Sequence, residues 1–230
     1  MHEMHSSSTL LSDFILGSQD GLVNVLGIVL GVSAASSDFR LLLVASLAAL
    51  GAESISMGAV AYTSTLARRK LYLKEVENEL REMKEVPKIE RSEVRQIFKD
   101  WGYSGKRLEK VTDDICANPK AWLEFMMAFE LKLSPVEETA PIRSFVTVIS
   151  ATVIGSAVPL IPFIFLYNNI GLGLVWSVAL SAIVLFGIGY YEAKTTVGSL
   201  WRSGIQMTVI GLVAGFAGYL IGRLIGATPI

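Results

Sequence analysis

Most of the charge in this 230-residue chain is confined to one interval, and that partition constrains the fold more than any single motif does. Of the 41 Asp, Glu, Lys and Arg residues, 31 lie between Arg68 and Arg143. The flanking stretches are apolar and nearly uncharged. They are long enough to be crossed repeatedly by helices, since about 20 apolar residues span a bilayer. Hydrophobic residues make up 52% of the chain and charged ones only 18%, so the net charge of -1 hides the partition. Inside the interval, sixteen basic residues stand beside fifteen acidic ones. That balance excludes a polybasic lipid patch or a nucleic-acid surface.

Five spans follow from the apolar runs: about Phe14 to Ala35, Leu41 to Ala67, Phe145 to Tyr167, Leu172 to Tyr191 and Ile205 to Ile225. The polar turn S-S-D-F-R (Ser36 to Arg40) separates the first two, and Asn168 to Gly171 separates the third and fourth. Each of these pairs must therefore form an antiparallel hairpin. Pro159 and Pro162 should kink or break the third span. The N-terminus M-H-E-M-H-S-S-S-T-L-L-S-D lacks the positive stretch of a signal peptide, so the first apolar segment is expected to stay. His2 and His5 read as an unstructured tail. Cys116 is the single cysteine, which excludes an intrachain disulfide or a thiolate cluster.

Basic residues at the span ends set the orientation. Arg68, Arg69, Lys70 and Arg143 flank the charged interval, and Lys194 and Arg202 lie between spans four and five. The opposite side has only Arg40 and Arg223. The interval and the N-terminus should thus be cytoplasmic, and the C-terminus should lie on the opposite side. Nothing breaks the second span before Val86-Pro87. One helix is expected from Leu41 to Glu85, with a reach of roughly 65 Å at 1.5 Å per residue. Further helices are expected over Lys88 to Trp101, after Ser104 to Ala117, and from Pro119 to just before Ser134-Pro135. The chain reads as an all-α membrane protein with five transmembrane helices and a cytoplasmic helical metal-binding insert between spans 2 and 3. Residues 1–67 carry the tail and spans one and two, 68–143 the insert, and 144–230 the remaining spans.

Glycines at four- and three-residue spacing, Gly27 and Gly31 in the first span and Gly211, Gly215, Gly218 and Gly222 in the fifth, allow close helix approach. They suit packing inside one bundle or a seam between two subunits equally well. Acidic residues inside the spans carry more information. Asp20 sits two turns into the first span, with Asn24 one turn beyond it. Glu53 is near the middle of the second, with Met57 one turn further, and Glu192 closes the fourth at the interface. A buried carboxylate in a bilayer costs several kcal/mol unless it is paired, hydrated or on an ion path. No lysine or arginine lies in the spans near Asp20 or Glu53, which favours an ion path over a structural ion pair. Carboxylate oxygens beside a methionine thioether suit ferrous iron, manganese, cobalt or zinc better than magnesium or calcium. Protons compete for the same oxygens.

The insert repeats this chemistry. Glu79 and Glu82 are one turn apart before the Val86-Pro87 bend, and Glu90 and Glu93 are one turn apart after it. Met126, Met127 and Glu130 are spaced to share one helical face. A single such pair usually marks only a solvated face, and methionines are commonly core filler. The bend changes the weighing, because it can bring both acidic pairs onto one cluster.

Taken in order, D-G-L in the first span, I-S-M-G in the second, V-P-x-x-E-x-x-E and F-M-M-x-F-E-L in the insert, and P-L-I-P in the third span resemble the vacuolar iron transporter family. The resemblance covers essentially the full length. It implies a homodimer with the path at the subunit interface and proton-coupled export of Fe²⁺ from the cytoplasm. No permanent cofactor is implied, only the transported ion. It also implies that Asp20 and Met57 line the path. Glu79, Glu82, Glu90, Glu93, Met126, Met127 and Glu130 would hold metal in the insert. Family members commonly carry a glutamate two turns before the methionine of I-S-M, where this chain has Ala49. Glu53, one turn later, either substitutes on the same face or marks an altered path. Two other functions compete with transport. A di-iron oxidase would need Glu-x-x-His pairs, and the chain has only His2 and His5. A membrane-anchored metal buffer or sensor would leave Asp20 and Glu53 without a purpose. No Gly-rich nucleotide loop is present to drive an ATP-fuelled pump.

Overall fold

The computed structural model describes residues 4–226, with side chains from residue 10 onward. The regular elements among these residues are all helical. Five helical segments are long and apolar enough to cross a membrane: Leu10–Ala35, Phe39–Glu85, Ala140–Phe165, Ile170–Thr195 and Leu200–Gly226. Helix α1 runs Met4–Ala35, so the expected N-terminal tail is helical from Met4 onward. The Ser-rich stretch before Phe14 contains no glycine or proline to stop it. His2, the side chain of His5 and the C-terminal end whose side was inferred above lie outside the description.

Local chemistry fixes where the helices start. The Asp38 carboxylate accepts from the Arg40 and Leu41 amides at 2.8 and 3.2 Å, an N-cap that starts α2 (Phe39–Glu85). Helix α2 is unbroken over 47 residues and ends where Pro87 opens the next helix. After it come α3 (Pro87–Asp100), α4 (Gly105–Cys116) and α5 (Pro119–Phe125). Asn118 caps α5 through the Lys120 and Ala121 amides.

The third span breaks at its prolines as expected. Helix α6 (Ala140–Ala157) passes into a 3₁₀ turn at Val158–Leu160 and then the short α7 (Ile161–Phe165). The buried Ser177 hydroxyl donates to the Pro159 carbonyl at 2.7 Å, which satisfies an acceptor at the break. Ser177 belongs to α8 (Ile170–Thr195), whose first turn is capped by Asn169. Helix α9 (Leu200–Gly226) completes the chain.

The chain divides into two compact units, Met1–Tyr62 with Ile142–Ile230, and Thr63–Pro141, and the first boundary falls inside α2. In the first unit Val25, Val29, Leu42, Leu160 and Phe163 form one core cluster and Leu22, Val158 and Leu185 another. Large apolar side chains such as Ile164, Val175, Ile183 and Leu224 point outward, as suits helices solvated by lipid. The glycine spacing resolves as packing within the chain. An ideal Cβ on Gly31 would lie 2.9 Å from the Gly218 carbonyl oxygen, and one on Gly222 would overlap Gly31. Helices α1 and α9 therefore meet backbone to backbone. The second unit has its own core of Val94, Phe98, Leu108, Trp122, Phe125 and Met126.

Candidate functional site: two carboxylate centres

In the Thr63–Pro141 unit, Pro87 turns the chain so that α3 can return beside the end of α2. On α3, Glu90, Val94 and Phe98 recur every four residues and are all buried. The two apolar members enter the core, where the Phe98 and Phe125 rings stack at 4.9 Å. A flanking face is charged. Arg91 bonds Glu109 and Asp113 at 3.1 and 2.8 Å, and Arg95 bonds Glu109 at 2.7 Å, tying α3 to α4. These two arginines hold the Glu109 carboxyl below its ordinary range. The insert thus neutralises some acids with arginine while it collects others elsewhere.

The collected acids form two trios. Oxygens of Glu79, Glu82 and Glu90 all lie within 4.8 Å of one another, and so do oxygens of Glu90, Glu93 and Glu130. Glu90 belongs to both. Glu79 and Glu90 are each only 3% exposed, and each has a carboxylate oxygen buried without a hydrogen-bond partner. Burial comes first among the causes that push the Glu79 carboxyl up to about 8, followed by a hydrogen bond with Glu90 and the charges of Glu90, Glu130 and Glu82. Partial desolvation of its carboxyl within the cluster, then the charges of Glu93, Glu90 and Glu82, pushes Glu130 up to about 7, although the residue as a whole is exposed. Glu93 is raised by burial and the charges of Glu90 and Glu82. Carboxylates crowded this closely repel one another and hold protons until a cation takes their place. Their geometry offers oxygen ligands to two ions that share Glu90.

The methionines stand differently from the expected shared face. Helix α5 continues as a π turn over Met126–Glu130, in which the Leu131 amide bonds the Met126 carbonyl at 3.1 Å. The wider turn changes the angular spacing of side chains. Met126 and Met127 are buried while Glu130 is exposed, so the three do not line one face. Met126 lies wholly within the aromatic core. The turn ends at Lys132, whose φ of 53° is left-handed, with the Leu133 amide bonded to the Met127 carbonyl at 2.8 Å.

A second centre lies in the spans. Glu53 of α2 comes within hydrogen-bonding reach of Asn24 and Asp20 of α1. Its Oε2 is buried without a partner. Met57, half-buried, follows one turn along α2. Asp20 and Asn24 stand exposed at one end of a groove along α1 and α9 that continues past Gly27, Gly31, Gly218 and Gly222. Ala49 offers no ligand atom, and Glu53 is the α2 carboxylate that meets Asp20.

Sequence reasoning missed the bond from the Ser144 hydroxyl of α6 to the Asp13 carboxylate of α1. The available signal was the position of Asp13, two turns before Asp20 on the same helix. The bond partner could not be read from the order of residues.

Comparison with known proteins gives a consistent result. The family model described as the VIT family matches residues 11–223. Vacuolar iron transporter 1 of Oryza sativa subsp. japonica is 33% identical over 214 residues, covering 93% of this chain and 84% of the relative. Vacuolar iron transporter 1 of Tulipa gesneriana is 31% identical over 224 residues, covering 97% and 90%. Protein CCC1 of Saccharomyces cerevisiae is 27% identical over 225 residues, covering 94% and 69%.

Proposed function

This chain belongs to the VIT family, and from that premise we propose that it is a divalent-metal transporter exporting Fe²⁺ from the cytoplasm in exchange for protons. It is an integral membrane protein, and iron or a related metal is its cargo. Mn²⁺ and other transition metals of similar ligand preference are further cargo on the same chemistry. The observation that carries the reading is the pair of glutamate trios joined at Glu90. A divalent ion arriving there replaces protons held by Glu79 and Glu130, because carboxylates bind metal only when deprotonated. The insert, taken as the cytoplasmic domain 68–143 between spans 1–67 and 144–230, acts as the collector. The ligand set is Glu79, Glu82, Glu90, Glu93 and Glu130, with Met126 and Met127 behind it.

Asp20, Asn24, Glu53 and Met57 form the conducting centre. Glu53 takes the part of the glutamate missing at Ala49, which its approach to Asp20 and Asn24 supports. The thioether of Met57, one turn along α2 from Glu53, favours transition metals over Mg²⁺ if it joins these oxygens on an ion. A homodimer fits the same centre. Asp20 and Asn24 are exposed on a span of the single chain, and a charged carboxylate facing lipid costs several kcal/mol. A second copy seated over α1 covers it and puts the path at the subunit interface.

The test is uptake into proteoliposomes of Fe²⁺ under anaerobic conditions, Mn²⁺, Co²⁺ and Zn²⁺, each with and without an imposed pH gradient. Uptake of Fe²⁺ accelerated by an opposing proton gradient supports the proposal. Flux indifferent to the gradient removes the antiport, and binding without flux leaves a membrane-anchored buffer.

A further inference from the structure

Helices α1 and α6 meet along a seam of very small residues. An ideal Cβ on Gly17 would lie 2.9 Å from the Val148 carbonyl oxygen, and one on Gly21 would lie 2.5 Å from the Thr152 carbonyl oxygen. From the other side, a Cβ on Gly155 would overlap the Ser18 carbonyl. Such a seam allows close approach, and the buried Thr152 and Ser156 side chains of α6 seat against Gly17 and Gly21. These contacts are short and apolar or unbonded across the seam, and directional bonding between the helices has to come from elsewhere. Ser18 donates to Ile15 at 3.1 Å and Thr152 to Val148 at 2.8 Å, each within its own helix. The bond from Ser144 to Asp13 does cross the seam, and Ser144 is only 4% exposed. A hydrogen bond between a hydroxyl and a carboxyl group on two different helices is directional and fixes how they face each other.

We propose that Asp13 and Ser144 are positioning residues, a cross-helix bond that locks the axial register of α1 on α6 and so sets the depth at which Asp20 meets Glu53. Asp20 lies seven residues beyond Asp13, roughly 10 Å along the helix axis. A slip of one residue at the seam would carry Asp20 about 1.5 Å along that axis. Glu53, within hydrogen-bonding reach of Asp20 and Asn24, would lose its partners over such a shift. The Asp13 carboxylate acts here through α1, without contact to the cargo. The claim that this matters for flux rests on the transport reading above, whereas the claim about register does not.

The test uses the full chain with Cys116→Ser, Asp20→Cys and Glu53→Cys, and measures the rate of the intrachain disulfide between positions 20 and 53. Adding Ser144→Ala or Asp13→Ala should each slow the reaction about tenfold. The two together should be no slower than either alone. The exchange Asp13→Ser with Ser144→Asp should recover the rate to within about threefold. An unchanged rate in either single variant, or additive losses in the double, overturns the proposal. In chains retaining Asp20 and Glu53, the same substitutions should raise the Mn²⁺ concentration for half-maximal uptake, and the exchange should reverse the rise. If Asp13→Ala abolishes uptake while Ser144→Ala leaves it intact, Asp13 acts on the cargo itself and the positioning role is wrong. A parent chain that moves no metal defeats the transport reading, while the disulfide rates still decide the register.

Discussion

The two carboxylate centres use the same chemical group and stabilise it by opposite means. In the insert, Glu79 and Glu90 are buried among other acids, and burial with the neighbouring charges pushes the Glu79 carboxyl up to about 8. In the spans, Asp20 and Glu53 meet across two helices with the neutral amide of Asn24 beside them, and fewer oxygens converge. The first arrangement suits tight, proton-linked capture. The second suits passage, because an ion must leave as readily as it arrives. Under the transport proposal, affinity resides in one unit and conductance in the other.

The largest expected effect separates these roles. Asp20→Asn should lower metal flux about 100-fold, a loss of charge stabilisation at the barrier, while equilibrium metal binding by the purified protein stays near that of the parent. Calorimetry beside vesicle uptake reads both quantities, and loss of binding in this variant would merge the two centres into one. Next in size, Glu90→Gln removes the acid common to both trios and should weaken binding about 30-fold, with fewer ions bound at saturation. Glu82→Gln, which touches one trio only, should weaken binding about fivefold and spare the other ion.

Proton linkage sharpens the contrast further. The folded-state values of Glu79 and Glu130, about 8 and about 7, lie above the ordinary 4.5. The folded insert therefore holds more protons than the unfolded chain between those limits. The metal-free protein should lose stability as pH rises from about 5 to 8. Added Mn²⁺ should reverse that trend, because it binds the deprotonated form. Melting curves at pH 5, 6.5 and 8 read the sign, and a metal-free protein that grows more stable with pH would contradict the assigned burial. The smallest effect is expected at Glu109, whose carboxylate is paired with Arg91 and Arg95 away from the trios. Glu109→Gln should leave metal binding unchanged.

The sequence was most legible where one property repeats along the chain. Apolar runs marked the five spans, Pro159 and Pro162 marked the break in the third, and Pro87 marked the end of α2. Glu79, Glu82, Glu90 and Glu93 could be proposed as one cluster because a bend stood between the two pairs. What depends on contact between distant segments stayed hidden. The sharing of Glu90 by two trios needs the fold of α2, α3 and the π turn together. The π turn itself has no residue signature in M-M-A-F-E, which is why Met127 and Glu130, three residues apart, were expected on one face. The glycines of α1 read equally as a seam within the chain or between chains, and only the approach of Gly218 and Gly222 decided between them.

The division between capture and conductance is tested most directly by the metal dependence of flux in Glu90→Gln. Uptake into oriented vesicles should need about 30-fold more metal to reach half-maximum, yet climb to the ceiling of the parent protein. A lowered ceiling with the half-maximal concentration unchanged would show that Glu90 acts in conductance itself and contradict the account.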